Sequence, residues 1–232
     1  TIEAGRAGTS IYVAYFAPYA SERHQMLIAG AQNYEHSSVS VLGQTLDGRD
    51  LDLITIGTPG PDKRAIWVTA RQHPGETMAE WWMEGFLERM LDPISAISKD
   101  LLSRAVFYVV PNMNPDGSAR GHLRTNAAGV NLNREWAAPT LEKSPEVYLV
   151  LNKMIETGCD LALDAHGDEA LPYNFIAGTE GIPSWSDRLA TLQDTFKNSY
   201  VKSSNGAFQT QYGYPTNAPG KANLTICSNA LA

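Results

Sequence analysis

The sequence predicts an α/β protein with a mixed parallel and antiparallel central sheet and helices on both faces. Short continuous apolar runs, typical of strands buried on both sides, alternate along the chain with segments of helical periodicity. Residues 38–57 contain two strand-like segments joined by Asp47-Gly48, a dipeptide typical of hairpin turns. Because a hairpin joins antiparallel strands, we do not expect an all-parallel sheet.

The individual elements follow from these patterns in chain order. Besides the hairpin, strands are predicted over residues 11–17, 65–70, 105–110 and 159–166. Helices are predicted over residues 21–32, 75–91, 144–158 and 185–200, with a loop-rich section over 111–139. Ser21 is a candidate N-cap of the first helix, Asp92-Pro93 ends the second, and Ser144 and Gly158 bound the third.

Composition and charge restrict the function. The 232 residues can form one large domain or two small ones, with a formal net charge of −7. There is no Lys and Arg cluster of the kind that binds nucleic acid, and no apolar stretch long enough to cross a membrane. The first residues do not resemble a signal peptide, and Cys159 and Cys227 are expected to be free thiols. We therefore expect a cytoplasmic protein with neither nucleic acid nor membrane as a partner.

Two histidines are predicted at the edge of the sheet where ligands of α/β proteins bind, beyond the carboxyl ends of the strands. His73 follows the strand 65–70 and precedes Glu76 by three residues, and His166 ends the strand 159–166. Imidazole and carboxylate groups are zinc ligands, and a catalytic zinc site takes three of them. Glu76 and His166 also have ordinary structural explanations, since Glu76 suits the first turn of a helix and His166 suits a core.

The loop at residues 111–136 carries three arginines, Arg120, Arg124 and Arg134. Arginine in a loop is most often a solvated surface residue. Guanidinium groups also bind carboxylates in bidentate fashion, and the C-terminus of a peptide is one such carboxylate. Arginines near a zinc site would therefore form an anion clamp.

Four motifs occur in a fixed order: HPGE at residues 73–76, NPDG at 114–117, LNREW at 132–136 and LDAHGDE at 163–169. With them the sequence resembles the zinc metallocarboxypeptidases of the carboxypeptidase A-like superfamily, from about Tyr15 to the last residue. It is most similar to the cytosolic carboxypeptidase branch and its bacterial members. The resemblance implies a hydrolase, a metalloprotease, with a carboxypeptidase A-like fold that is C-terminally incomplete in this chain.

The resemblance also implies roles for single residues. One Zn²⁺ per chain would be held by His73, Glu76 and His166. Arg124 would be catalytic and would stabilise the oxyanion of the tetrahedral intermediate, while Asn133 and Arg134 would bind the terminal carboxylate of the substrate. Arg120 is expected to be structural or peripheral.

Two departures from the family pattern matter. Asn131 stands where much of the family has an aspartate that accepts a hydrogen bond from a ligand histidine, so we expect His73 to be a weaker ligand. The general-base glutamate of the family is expected beyond Ala232, and the family assigns no such role to Glu169.

The domain organisation that the resemblance implies has two parts. Residues 1–19 are expected to be a remnant of an N-terminal β-rich domain. Residues 20–232 are expected to be a carboxypeptidase-like catalytic domain that lacks its C-terminal part.

The leading function is therefore a zinc-dependent metallocarboxypeptidase that hydrolyses the C-terminal peptide bond of peptides or protein tails, with acidic tails as one candidate class. Two alternatives keep the metal: a zinc deacylase of N-acyl amino acids, and a non-catalytic fragment that binds zinc and C-termini. A purely structural α/β domain is a third. The sequence indicates neither the oligomeric state nor the preferred C-terminal residue.

Overall fold

The computed structural model describes residues 13–232 of the protein. Its strands are β1 (Ser37–Gln44), β2 (Asp50–Ile56), β3 (Arg64–Ala70), β4 (Ala105–Val110) and β5 (Leu161–Ala165). Its helices are α1 (Ser21–Ala31), α2 (Thr77–Leu91), α3 (Ala96–Arg104), α4 (Pro115–Arg120), α5 (Pro145–Thr157), α6 (Asp187–Ser203) and α7 (Cys227–Leu231).

The five strands form one mixed sheet in the order β1-β2-β4-β3-β5. The hairpin strands β1 and β2 are antiparallel, and β2 also lies antiparallel to β4. The strand β3 runs parallel to both of its neighbours, β4 and β5. This arrangement confirms the predicted mixed sheet and places the carboxyl ends of β3 and β5 side by side.

Helices cover both faces of the sheet, as the continuous apolar strands predict. All six residues of β4 are buried, so this strand needs an apolar partner on each side. One face packs against α1, α2 and α3, with Met83 and Leu87 of α2 fully buried. The opposite face packs against α5 and α7, with Val147 and Val150 of α5 fully buried. Each such side chain stabilises the fold by about 1.5–3 kcal/mol.

Most of the predicted elements are confirmed, with boundaries that agree or differ by at most three residues. The strand predicted over residues 11–17 is wrong where it can be judged, since residues 13–17 have no regular structure and residues 11 and 12 lie outside the described part. Val13 and Tyr15 are about three-quarters exposed, and residues 13–17 pair with no strand among the described residues. Ser21 is the first residue of α1, and Ala20 occupies the cap position instead.

Among the described residues, three short α-helices were not predicted, namely α3, α4 and α7. NPDG forms the start of α4 rather than a simple turn, because the Asn114 side chain accepts a hydrogen bond from the Gly117 backbone N–H and caps the helix. Ser95 caps α3 in the same way by accepting from the Ser98 backbone N–H. The helix α7 has only five residues, too few for a periodic signal.

The N-terminal boundary at residue 19 stays a prediction, because residues 1–12 lie outside the described part. Tyr19 is buried, and the carbonyl oxygen of Ala17 accepts hydrogen bonds from Thr77 and Trp81 of α2. Cys159 and Cys227 are free thiols. Among the described residues, no helix combines the length and the apolar character needed to cross a bilayer.

Candidate metal centre

The structure brings His73, Glu76 and His166 together, as the sequence predicts. His73 and Glu76 lie on the tight connection between β3 and α2, and His166 follows the last residue of β5. Because β3 and β5 are parallel neighbours, both connections leave the same edge of the sheet. One potential ligand atom from each of the three side chains lies within 4.8 Å of the others.

The Glu76 carboxylate lies between the two imidazole rings. Its Oε1 is 2.7 Å from His73 Nδ1 and its Oε2 is 2.8 Å from His166 Nδ1. The backbone N–H of Gly167 donates a further hydrogen bond to Oε2 at 3.0 Å. His73 and Glu76 are buried, whereas the His166 side chain keeps about a quarter of its surface exposed. The donor set, two imidazole Nδ1 atoms and one carboxylate, fits a zinc ion.

The pKa values of this cluster reflect its close charges. Burial favours the neutral form of Glu76, but hydrogen bonds from His166 and His73 lower its pKa to about 2. Burial disfavours the charged ring of His166, but Asp164 and Glu76 raise its pKa to about 10. A metal ligand must be deprotonated, so metal and protons compete for these side chains.

Each of the two histidines meets a hydrogen-bond acceptor through Nε2, the ring nitrogen that does not contact Glu76. His73 Nε2 lies 3.0 Å from Asn131 Oδ1, the contact expected from the sequence. The same oxygen accepts from the backbone N–H of Asn133, which fixes the orientation of the Asn131 amide. His166 Nε2 lies 2.8 Å from Asp164 Oδ2. These contacts leave both Nδ1 atoms facing the centre.

Sequence reasoning missed Asp164. A signal was present, because residues two apart on a strand point to the same face and Asp164 precedes His166 by two. The pattern Asp-x-His at a strand end therefore indicates a carboxylate beside the ring.

The predicted arginines lie at different distances from the centre. Arg124 reaches it: one guanidinium nitrogen is 3.2 Å from Glu76 Oε1 and 3.4 Å from Glu169 Oε1. Arg134 is exposed and donates to the carbonyl of Asn133 at 2.6 Å rather than to a ligand residue. Arg120 is bound to Asp47 in the hairpin turn, away from the ligands.

Asn133 lies against the centre. Its Nδ2 is 3.4 Å from His166 Nε2, and its Oδ1 accepts a hydrogen bond from the backbone N–H of Cys227 at 2.9 Å. The helix α7 therefore helps to orient this side chain.

Two features hold the connection that carries His73. Arg71, with a left-handed φ of 57°, donates from Nε to the carbonyl of Pro74 at 3.0 Å. Gly117 of NPDG packs directly on the ring of Pro74: a Cβ at this position would lie 2.5 Å from Pro74 Cγ and 2.5 Å from the carbonyl oxygen of Thr125. Any other residue would collide there, so the NPDG segment supports the HPGE segment sterically.

The chain is similar to known proteins. The sequence profile of the zinc carboxypeptidase family, Peptidase M14, matches residues 24–218. The chain is 45% identical to a metallo-carboxypeptidase from Pseudomonas aeruginosa whose structure holds (2-guanidinoethylmercapto)succinic acid. The TM-score is 0.89, and the match covers 94% of this chain and 57% of that one. For a metallo-carboxypeptidase from Burkholderia cenocepacia the identity is 44% and the TM-score 0.88, over 93% and 58% of the two chains.

A curated relative with less similarity is cytosolic carboxypeptidase 6 of Mus musculus. It is 31% identical over 180 residues, which cover 71% of this chain and 33% of the mouse protein. The chain spans less than two thirds of the length of each of these three proteins.

Proposed function

Because the chain belongs to the zinc carboxypeptidase family, Peptidase M14, we propose that it carries the zinc ligands and substrate-binding residues of a metallocarboxypeptidase. The reaction is hydrolysis of the C-terminal peptide bond of peptides or protein tails. The convergence of His73, Glu76 and His166 at one point carries this proposal. When bound there, zinc supplies Lewis-acid polarisation and the activation of water.

Arg124 is proposed to stabilise negative charge that develops on the scissile carbonyl oxygen. Its guanidinium group borders the ligand cluster and stays about two-fifths exposed, so it can reach a substrate. A donor placed at a developing oxyanion typically contributes about 3 kcal/mol to catalysis. Arg124 also contacts the Glu169 carboxylate, which supports its orientation towards the centre.

Asn133 and Arg134 are proposed to bind the terminal carboxylate of the substrate. Asn133 is held against His166, next to the proposed metal, and Arg134 follows it in the chain with an exposed guanidinium group. An arginine fork and an amide N–H₂ can both donate to one carboxylate. Capture of the chain end would restrict hydrolysis to the last peptide bond. No general base is assigned among residues 13–232.

We also infer a cytoplasmic location and an acidic C-terminal residue as one substrate class. The free thiols and the similarity to a cytosolic carboxypeptidase support the location. The acidic preference rests on the family resemblance of the sequence alone, so the substrate assay has to test it directly.

Zinc binding is tested first, by metal analysis of protein dialysed against a weak chelator. We expect one zinc per chain in the wild type and in Glu142→Gln, an exposed control, and much less in Glu76→Gln. A wild type without zinc would overturn the proposal and favour a purely structural domain.

Substrate binding and hydrolysis are tested with four peptides, ending in Glu or Leu and each with a free or amidated C-terminus. We expect release of the last residue from the free acids only. Arg134→Gln should weaken binding of the free acids by about tenfold or more, while the control Arg104→Gln should not. Hydrolysis of N-acyl amino acids alone would support a deacylase, and binding without product would support the non-catalytic alternative.

A further inference from the structure

The carboxylate of Asp164 is held by three side chains. Its Oδ1 accepts a hydrogen bond from the Thr69 hydroxyl at 2.8 Å, across the paired strands β3 and β5. Its Oδ2 contacts His166 Nε2 at 2.8 Å and accepts a hydrogen bond from Gln72 Nε2. The Asp164 side chain is about nine-tenths buried. Its position is therefore fixed from both strands and from the connection that carries His73.

The orientation of Gln72 is fixed as well. Its Oε1 accepts a hydrogen bond from the indole N–H of Trp136 at 2.9 Å, and both residues are fully or almost fully buried. Because an indole nitrogen only donates, the oxygen of the Gln72 amide must face Trp136 and its N–H₂ must face Asp164. Asp164 thus receives hydrogen bonds from Thr69 and Gln72 in addition to its contact with His166 Nε2.

The carboxylate at Nε2 of His166 determines which ring nitrogen carries the proton and which is free to bind a metal. Since the carboxylate accepts the Nε2 proton, Nδ1 is left as the ligand atom, and it lies 2.8 Å from Glu76 Oε2 at the centre. We infer that Asp164 is a positioning residue for the proposed zinc site, fixing the tautomer and ring direction of His166. This inference rests on the proposed function, because it requires zinc at His73, Glu76 and His166.

The two histidines have unequal partners. His73 Nε2 contacts the neutral amide of Asn131, whereas His166 Nε2 contacts the carboxylate of Asp164. A charged acceptor makes an imidazole a more basic and stronger ligand than a neutral one does. Asp164 therefore places a negative charge next to His166, whereas Asn131 places none next to His73.

A simpler role for Asp164 would be to join β3 to β5 through its hydrogen bond from the Thr69 hydroxyl. The two roles are separable, because Thr69→Val removes that link without touching His166, whereas Asp164→Asn keeps the size of the side chain and removes its charge. Zinc affinity, measured by competition with a fluorescent chelator, reports on the ligand rather than on turnover.

We expect Asp164→Asn to weaken zinc binding by about 10–100-fold, the range typical for partners of ligand histidines. Thr69→Val should weaken it by less than about threefold, and Asn131→Asp should strengthen it. The double variant Asn131→Asp with Asp164→Asn should recover part of the loss. Unchanged affinity in Asp164→Asn, or an equal loss in Thr69→Val, would overturn the positioning role.

Nitrogen NMR of the zinc-loaded wild type gives a second measurement that needs no variant, in case Asp164→Asn does not fold. We expect His166 to carry its proton on Nε2 and to bind the metal through Nδ1, and the opposite tautomer would overturn the inference. A wild type that binds no zinc would instead overturn the proposed function. A wild type that binds zinc but does not hydrolyse peptides would leave this test valid.

Discussion

Glu80 in α2 and Glu146 in α5 are both completely buried, on opposite faces of the sheet, yet their surroundings differ. Glu80 contacts the Arg71 guanidinium group and the His24 ring, each at 2.6 Å, and accepts a weaker hydrogen bond from Asn112. Among the described side chains, Glu146 receives donors only from the amide of Asn126, at 3.2 and 3.5 Å.

The difference shows two ways of burying a carboxyl group. Glu80 lies against cations, whereas burial raises the pKa of Glu146 to about 7, so that it is neutral over part of the physiological range. Both carboxyl groups support a connection that carries residues of the candidate metal centre. Arg71 also binds Pro74, next to His73, and Asn126 holds the turn at residues 126–130 that precedes Asn131. We expect the support around Glu146 to change between about pH 4.5 and 7, and the support around Glu80 to change only at higher pH, where His24 loses its proton.

The largest effect should come from removing the cation beside Glu80. Arg71→Met removes one of the two cationic partners of the buried Glu80 carboxyl group, and we expect the free energy of unfolding to fall by about 3–5 kcal/mol. Urea denaturation at pH 7 measures it. Arg71→Lys is the matched control, because it keeps the charge but loses the fork that also reaches Pro74, so its loss should be smaller. A loss below about 1 kcal/mol in Arg71→Met would show that Glu80 does not need this ion pair.

The pH dependence of stability should identify Glu146. Its pKa is raised on folding, so the unfolded chain releases this proton near pH 4.5 and the folded chain releases it near pH 7. The contribution of Glu146 to the free energy of unfolding is therefore fully present below pH 4.5. It falls by roughly 3 kcal/mol in total as the pH rises to about 7.

Glu146→Gln removes this titration. Denaturation at pH 5 and pH 8 should show a smaller difference in the variant than in the wild type. Equal differences in both proteins would contradict the assignment of this pH dependence to Glu146.

The surroundings of Glu80 should become sensitive to pH only at higher pH, through the titration of His24. Burial lowers its pKa, but Asp52 and Glu80 raise it to about 9, so its stabilising charge is present below pH 6.5 and is lost as the pH rises through 9. We expect a loss of roughly 2 kcal/mol, since Asp52 is partly exposed and screened. In His24→Gln the unfolding free energy should change less between pH 6.5 and 9.5, and a wild-type slope in this variant would refute the role of His24.

The smallest effect should come from an exposed ion pair of similar length. Arg64 lies 3.0 Å from Asp160, but about three quarters of the arginine side chain is exposed. Arg64→Gln should change the unfolding free energy by less than about 1 kcal/mol, because water and salt screen the pair. A loss as large as that of Arg71→Met would show that burial is not the decisive difference between the two pairs.

Local chemistry made the strands and the three candidate ligands predictable. An apolar run such as residues 105–110 needs burial on both sides, and a hairpin turn requires antiparallel neighbours, so the sheet class followed from short segments. His73, Glu76 and His166 were predictable because each lies at or just after the end of a predicted strand, where ligand residues of α/β sheets lie. The exposed run at residues 13–17 shows the limit of this reasoning, since apolar composition does not create a pairing partner.

What the sequence determined by itself is therefore local: the periodicity of its strands and helices, the turn of its hairpin, and candidate ligand residues placed at strand ends. The tertiary structure alone decided the strand order and the partners of the buried polar groups. Arg71, Glu80 and His24 meet through packing between separate elements, and Asp164, Gln72 and Trp136 meet across a separation of up to 92 residues. Such contacts depend on which helix covers which face of the sheet, and periodicity carries no information on that choice.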